Sequence, residues 1–264
     1  MRKPETGDLV YQVAALIVAF VVVHAPYVAV VRPGAEAVLA EQARRMRADP
    51  EYVQERSLWV VLKDPEQESE FVLCLWALAI MAAKWVAANR ERRLLERELV
   101  PVAAGGRILP EDAREYARQM QALPEAQKRL LLPRTLLAAL GRFRTTRSVQ
   151  DASATAREVC AAESDRLDSE LAMIRYIAWA IPSIGFIGTV RGIGDALTQA
   201  HRAVQGDISG VTEALGVAFN STLVALLLSL VLMFVLHQLQ LRQERLVLET
   251  EGYVDEHLLQ HLQA

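Results

Sequence analysis

The amino-acid sequence predicts an all-α integral membrane protein with four transmembrane helices and a cytoplasmic helical stalk domain. Three observations predict it: four long stretches almost without charge, basic residues at some of their ends, and an apolar repeat every three to four residues elsewhere. The chain has 264 residues, of which 52% are hydrophobic and 23% are charged, and its formal net charge is −3. The apolar content excludes a wholly disordered chain, and the near-neutral charge argues against a nucleic-acid binder. Two cysteines are too few for a disulfide scaffold.

The four stretches are long enough to cross a bilayer as helices. A helix rises about 1.5 Å per residue, so roughly 20 apolar residues cross a hydrocarbon core of about 30 Å. Backbone polar groups inside lipid must bond within their own segment, which favours helices. The stretches and the charged residues within them are 9–31 with none, 71–89 with Lys84, 171–190 with Arg175, and 214–241 with none.

The first stretch shares one feature with a secretory signal, because Arg2 and Lys3 precede it. Its apolar part is longer than a typical signal core. The best cleavage position, after Ala25, would also place Pro26 directly behind the cut bond. We therefore expect this stretch to be a retained span.

Basic residues near the ends of the spans predict their orientation, because cytoplasmic flanks carry an excess of lysine and arginine. Arginines follow the second and the fourth span, whereas acids outnumber bases in the segment between the first two spans. Both chain termini are therefore expected in the cytoplasm. The predicted division is 1–8 cytoplasmic N-terminus, 9–31 first span, 32–69 periplasmic helical loop, 70–89 second span, 90–170 cytoplasmic helical domain, 171–195 third span, 196–212 short periplasmic loop, 213–241 fourth span and 242–264 cytoplasmic helical tail.

Helices are also expected outside the spans. The segment 36–47 is rich in Ala, Glu and Arg, and Asp49-Pro50 predicts a turn behind it. A proline followed by two acids at 110–112 predicts a helix start. From Ser148 a helix is expected to run without Gly or Pro up to Pro182 and so into the third span. The fourth span is expected to continue into an amphipathic tail helix in the same way.

The third span contains small residues at helical spacing. Gly188 and Gly192 are four residues apart, and so are Gly185 and Thr189, which is the spacing that lets membrane helices approach closely. Close helix packing is the expected role of these glycines and of Pro182. The hydroxyl of Thr189 lies deep in the span, where it either bonds the carbonyl one turn earlier or lines an ion path.

The fourth span carries three consecutive polar residues, Asn220, Ser221 and Thr222, in an otherwise aliphatic helix. An asparagine at membrane depth is costly unless it faces protein or water. Three successive residues cover more than half of a helix circumference, so at least one is expected to face a partner helix or a wet path. At the outer end of the third span, Arg191 and Asp195 are four residues apart and are expected to form an ion pair.

Two runs of residues resemble a known family. The run GFIGTVRGIG at 185–194, followed by AFNSTLVA at 218–225, resembles the MotA/TolQ/ExbB proton-channel family. The resemblance implies a pentameric ring of identical subunits in the bacterial inner membrane, around a single-span ExbD/TolR/MotB-like partner. It implies that proton flow moves the ring against that partner, and that Thr189 lines the ion path near an aspartate of the partner.

The resemblance allows two positions for a second pore threonine. Aligning Ala225 with the family glycine places it at Thr222, and the two polar residues before Thr222 then share its role. Anchoring the alignment on 213–215 places the equivalent position at Ala218 instead. The resemblance also leaves open whether the ion is a proton or sodium, and whether the motor drives uptake, envelope maintenance, motility or defence.

The cores of the third and fourth spans contain no carboxylate. Neither 171–190 nor 214–241 includes an Asp or a Glu, whereas a proton carrier in a membrane needs an ionisable group. The chain is therefore expected to supply a hydroxyl-lined wall, with a partner supplying the aspartate. The alternative function is a passive membrane scaffold whose cytoplasmic helices recruit a soluble partner.

Other candidate sites are weaker. His257 and His261 are four residues apart, but without further ligands a solvated helix face is expected rather than a metal site. His24 is expected to be packed or interfacial rather than a proton relay. The basic run at 90–93 is expected to set topology. We expect no enzyme, no cofactor and no nucleic-acid partner.

Overall fold

The computed structural model of the chain describes residues 5–49, 52, 57–101 and 106–263. Within these ranges the regular secondary structure is helical and no strand forms. Four helical runs are long and apolar enough to cross a membrane, which confirms the prediction of an all-helical protein with four candidate spans. These runs are Gly7–Ala48, Pro65–Leu95, Val149–Thr198 and Ser209–His261.

The chain divides into two compact units. One comprises Met1–Met81 and Met173–Leu236, and the other comprises Ala82–Ala172 and His237–Ala264. Two predicted features fall partly outside the described residues. These are the N-terminal segment 1–8, of which residues 5–8 are described, and the Asp49-Pro50 turn, of which Asp49 is described.

The first spanning helix contains a wider turn directly after a proline. Helix α1 (Glu5–Pro26) passes into a π-helical stretch, Tyr27–Val31, and continues as α2 (Arg32–Ala48). Pro26 has no N–H, and its ring crowds the carbonyl of the residue four positions earlier, which accounts for the π-helical geometry that follows it. The helix expected at 36–47 is therefore a continuation of the first span and not a separate element.

The second spanning helix begins at a proline. A single turn, α3 (Leu58–Val61), precedes α4 (Pro65–Leu95). Proline suits the first turn of a helix because its missing N–H would have no partner there. Glu66 and Glu68 place negative charge in the same turn, where its interaction with the helix dipole stabilises the helix.

Two aromatic side chains connect α1 to α4. The hydroxyl of Tyr11 donates to the carbonyl of Ala79 at 3.0 Å, and the indole N–H of Trp76 donates to the carbonyl of Gln12 at 2.9 Å. A carbonyl oxygen has two lone pairs, so each acceptor serves these bonds in addition to its own helix. The two helices are thus joined by bonds that leave both backbones intact.

The second unit has its own hydrophobic core, built largely from α5 (Ala113–Gln121), α7 (Leu131–Thr146), α8 (Val149–Glu170) and the end of the chain between Tyr253 and Leu262. The short helix α6 (Glu125–Lys128) lies between α5 and α7 in the sequence and has no buried residue. Asp112 precedes α5, so the helix start expected at 110–112 is confirmed within one residue. The fully enclosed side chains of this core include Ile108, Met120, Leu136, Leu140 and Phe143.

Helix α8 begins where the sequence predicts it. The side chain of Ser148 accepts the backbone N–H of Asp151 at 3.2 Å, which satisfies one of the free donors at the helix N-terminus. Only Leu171 separates α8 from α9 (Ala172–Thr198), so the helix that begins at Ser148 continues into the third candidate span, as the sequence predicts. The helix does not end at Pro182 but continues for four further turns.

The last part of the chain is one long helix behind a short connection. Helix α10 (Ala200–Val204) leads to α11 (Ser209–His257), which carries the fourth span and the tail together, as the sequence predicts. A 3-10 turn, Leu259–His261, follows it. Leu262 then forms an isolated bridge with Ile108 in the core of the second unit.

A buried carboxylate joins α7 to α8. Glu163 is only 2% exposed and accepts from the guanidinium of Arg134 at 3.0 Å and from that of Arg166. Burial on its own would raise the pKa of Glu163, but the bonds and charges of the two arginines outweigh it and hold that pKa below its ordinary value. Burial raises the pKa of nearby Glu91, which accepts the N–H of Leu131 at 3.1 Å.

Replacing Glu163 by Gln is expected to destabilise the protein by roughly 1.5–3 kcal/mol, the range for hydrogen bonds to charged groups. Because the pKa of Glu163 is lowered in the folded state, its contribution is present at neutral pH and is lost as the pH falls through that pKa. Thermal unfolding in detergent between neutral and acidic pH measures both effects. Glu158→Gln, which alters an exposed acid of the same helix, is the control. Equal losses of stability in the two variants would contradict the role of Glu163.

Candidate functional site

The backbones of α9 and α11 approach closely along a line of glycines. A Cβ atom placed on Gly188 would lie 2.5 Å from the Cβ of Ser221, and one placed on Gly192 would lie 2.7 Å from the carbonyl oxygen of Ala214. A Cβ on Gly185 would overlap that of Ala225. Real Cβ atoms do not come this close, so each position accepts only glycine at this helix separation. Small residues of this kind allow the van der Waals contact that holds membrane helices together.

Two threonine hydroxyls meet at this contact. The Oγ1 atoms of Thr189 and Thr222 are hydrogen-bonded to each other, and both side chains are partly buried. Thr189 Oγ1 also lies 3.0 Å from the carbonyl oxygen of Ala218 and 3.2 Å from that of Gly185. Thr222 Oγ1 lies 3.2 Å from the same Gly185 oxygen. The hydroxyl of Thr189 therefore bonds both to its own helix and to α11.

The polar run of α11 contacts two neighbouring helices. Thr222 faces α9, whereas Ser221 is fully buried between α9 and α4: it lies against Gly188 of α9, and its Oγ accepts from Nε2 of Gln67 on α4 at 3.3 Å. The hydroxyl of Ser221 itself donates to the carbonyl of Val217 at 3.0 Å. Asn220 is partly buried. The structure thus brings Thr189 and Thr222 together and places Ser221 beside them, where it also bonds α4.

The carbonyl that the proline of α9 leaves without a helical donor has a specific partner, which the sequence did not reveal. Pro182 has no N–H, so it leaves the carbonyl of Ala178, four residues earlier, without its helical donor. The buried hydroxyl of Ser229 on α11 donates to this carbonyl at 3.2 Å. A serine in the apolar part of a predicted span was the available signal, but its acceptor could be identified only from the structure.

The prediction of an ion pair between Arg191 and Asp195 is wrong. Asp195 is exposed, and Arg191 binds Glu66 on α4 at 2.8 Å and lies 3.8 Å from Asp64. Both of these acids are mostly enclosed, so their charges are less screened by solvent than that of Asp195 and attract the guanidinium more strongly. Burial raises the pKa of Asp64 above its ordinary value, although Lys63 and Arg191 lower it in part.

The N-terminal end of α4 forms a second polar cluster with α1 and α2. Glu68 accepts from Arg32 at 2.6 Å, and its other oxygen lies 2.5 Å from Nδ1 of His24. The ring of His24 stacks on Phe20 at a centroid distance of 5.1 Å. His24 is thus packed against α1 and hydrogen-bonded to α4. The run PEQESE at 65–70 was the available sequence signal for this cluster.

No group of three or more His, Cys, Asp or Glu residues in the described ranges is arranged to hold a metal ion. The two histidines of the tail have different neighbours. His257 stacks on Tyr253 at 4.1 Å, whereas Nδ1 of His261 lies 3.3 Å from the carbonyl of Gly106.

The fold and this site define a multi-pass membrane protein in which two spanning helices share a hydroxyl contact. Residues 127–252 match the model of the MotA/TolQ/ExbB proton channel family. The match includes the runs at 185–194 and 218–225, so the resemblance inferred from them is confirmed for this segment. Comparison with curated proteins and with solved structures found no match.

Replacing Gly185 by Ala is expected to force α9 and α11 apart, at a cost of about 1–3 kcal/mol, because the new methyl group meets backbone atoms as well as Ala225. Gly194→Ala in the same helix is the matched control, since a Cβ there meets nothing within 4 Å. That change is expected to stabilise the helix by about 0.5–1 kcal/mol. Thermal unfolding of the two purified variants in detergent tests this, and equal stabilities would contradict the close contact.

Proposed function

We propose that the chain is the ring-forming subunit of a motor or channel in the bacterial inner membrane, driven by the proton-motive force. In this proposal it transmits force through a single-span ExbD/TolR/MotB-like partner. The observation that carries the proposal is the hydroxyl contact of Thr189 with Thr222, which lies within the segment that matches the proton channel family. It joins two candidate spanning helices at the place where the family resemblance puts the ion path.

The chemistry of this contact explains why a partner is needed. Hydroxyl groups donate and accept hydrogen bonds but do not titrate near neutral pH, so two threonines can line a proton path without storing a proton. The stretches 171–190 and 214–241 contain no Asp or Glu. An aspartate on a neighbouring single-span protein would supply the missing acid. Five copies of this chain around that partner, as the family resemblance implies, would place several hydroxyl contacts around one path.

The charge distribution supports the orientation in this proposal. Arg90, Arg92 and Arg93 follow the second candidate span, and Arg242 and Arg245 follow the fourth. An excess of arginine beside spans favours the cytoplasmic side. Both termini and the helices of 90–170 would then be cytoplasmic, the latter as a stalk, with 32–69 and 196–212 on the periplasmic side.

A passive scaffold is the second candidate function. It is favoured by the bonds that the site hydroxyls make inside the chain, since Thr189 and Thr222 both reach the carbonyl of Gly185. Such bonds can serve solely to hold helices together. A scaffold of this kind would recruit a soluble partner through its cytoplasmic helices and would conduct no ions.

Replacing both Thr189 and Thr222 by Val is expected to abolish proton flux while leaving assembly intact. Valine has nearly the shape of threonine but no hydroxyl, so the helix contact remains and the polar path is lost. Flux is measured in vesicles that contain the chain with its partner, using a pH-sensitive dye, and assembly is measured by size-exclusion chromatography. The matched control is Ser183→Ala with Thr212→Val, which removes one hydroxyl from each of the same helices away from the contact. Unchanged flux in the Thr189 and Thr222 variant would contradict the proposed function and favour the scaffold.

The partner is tested separately. The chain is expected to co-purify in mild detergent with a single-span protein that carries an aspartate in its span. Mass spectrometry of the complex identifies this protein. Replacing its aspartate by Asn is expected to abolish flux without dissociating the complex, because the acid acts on the proton and not on assembly. Recovery of only a soluble protein would favour the scaffold.

A further inference from the structure

Unpartnered buried polar atoms are concentrated in one place. Among the described residues, six buried side-chain nitrogen or oxygen atoms have no hydrogen-bond partner, and five of these belong to Tyr27, Asp64, Gln67 and Glu70. All of these residues lie in the same compact unit, in the N-terminal part of α4, directly before it, or on the π-helical stretch after α1. Most of the five atoms are acceptors. A buried region with an excess of acceptors needs additional donors, and a proton bound to one of the acids supplies one.

Glu70 is the most unusual member of this group. It is completely buried, and neither carboxyl oxygen has a partner. The other two glutamates of the same turns are paired, because Glu66 binds Arg191 and Glu68 binds Arg32. Glu70 is therefore the one acid in 65–70 that is enclosed without a described cation.

The environment of Glu70 determines its protonation state. The residues that act on it electrostatically are Glu66 of its own helix, whose charge is held by Arg191 of α9, and the phenol of Tyr27. From α11, Ser221 is hydrogen-bonded to the neighbouring Gln67 and does not titrate. An ionised carboxylate without a partner costs far more in such surroundings than the neutral acid. The neutral acid also gains an O–H donor, which the ionised form lacks.

Gln67 offers an acceptor for that donor. It lies three residues before Glu70 and thus on the same face of α4, and its Oε1 is one of the unpartnered atoms. Its amide Nε2 already donates to Ser221, so the carbonyl end of the amide is left without a bond. One proton on Glu70 would therefore turn one of its carboxyl oxygens into a donor for the Gln67 oxygen.

We propose that Glu70, with Gln67 as its hydrogen-bond acceptor, is a proton-binding site that belongs to the subunit itself. The site lies at the outer end of the second span. Gln67 connects it to Ser221, which directly precedes Thr222 of the hydroxyl contact. It rests on the proposed function in one respect: a proton-driven subunit then holds a proton of its own in addition to the one on the partner's aspartate.

Infrared spectroscopy of the purified full chain in lipid tests the proposal directly. A protonated carboxylic acid has a C=O stretching band that is separate from the bands of carboxylates and moves in D₂O. At neutral pH this band is expected in the wild type and absent in Glu70→Gln. Glu66→Gln is the control and is expected to keep the band, because this change leaves Glu70 and Gln67 in place. A wild-type spectrum without the band would overturn the proposal.

A second variant separates the site from a general loss of folding. Gln67→Leu removes the acceptor but not the acid, so the band is expected to remain and to shift to the frequency of a free acid. An unshifted band would overturn the role of Gln67.

Sodium binding at the site is tested by exchanging potassium chloride for sodium chloride at constant pH. Loss of the band in sodium would show that the site holds a metal cation in place of the proton, which also contradicts the proposal.

The same samples distinguish this proposal from the proposed function. The variant with Val at both Thr189 and Thr222 is expected to lose proton flux and to keep the Glu70 band, since it leaves the second span unchanged. A band in a wild-type protein that shows no flux with its partner would support the site and contradict the channel. Flux without the band would support the channel and contradict the site.

Discussion

The close approach of α9 and α11 is the constraint on which the site depends. Gly185, Gly188 and Gly192 let the two backbones touch, and a side chain at any of them would separate the helices. At this distance the hydroxyls of Thr189 and Thr222 reach each other and the carbonyls around them. In lipid the hydrophobic effect does not drive helices together, so this packing and these bonds must hold the contact. The glycine contact that packs the two helices together is therefore also what brings the two hydroxyls within hydrogen-bonding distance.

Several buried polar groups in the first unit follow one rule, and the exceptions to it are informative. Inside a membrane an unpaired polar group is costly, so polar groups there are expected to be matched across helices. The carbonyl freed by Pro182 receives the hydroxyl of Ser229, and Arg191 is paired with Glu66. Glu70 lacks such a partner among the described residues although it is completely buried. A deviation of this kind is expected where a proton is held, because the missing partner is then the proton itself.

The sequence predicts the helices well and the contacts between them poorly. Apolar length and capping residues are local, so the four spans and the start of α8 at Ser148 could be predicted. The glycine spacing likewise indicated a close contact on α9. The partner of Arg191 is 125 residues away along the chain, and only folding decides between it and the nearer Asp195. The sequence places Glu66 and Glu68 in a loop because the apolar run of the second span begins after them.

In the proposed function the hydroxyls of Thr189 and Thr222 act as one unit in proton movement. A double-mutant cycle measures this: proton flux per complex is compared in the wild type, Thr189→Val, Thr222→Val and the double variant, all with the partner present. Either single change is expected to lower the flux almost as far as both together, because each hydroxyl works only through the other. Two independent losses that multiply in the double variant, or flux that survives in all three variants, would contradict it.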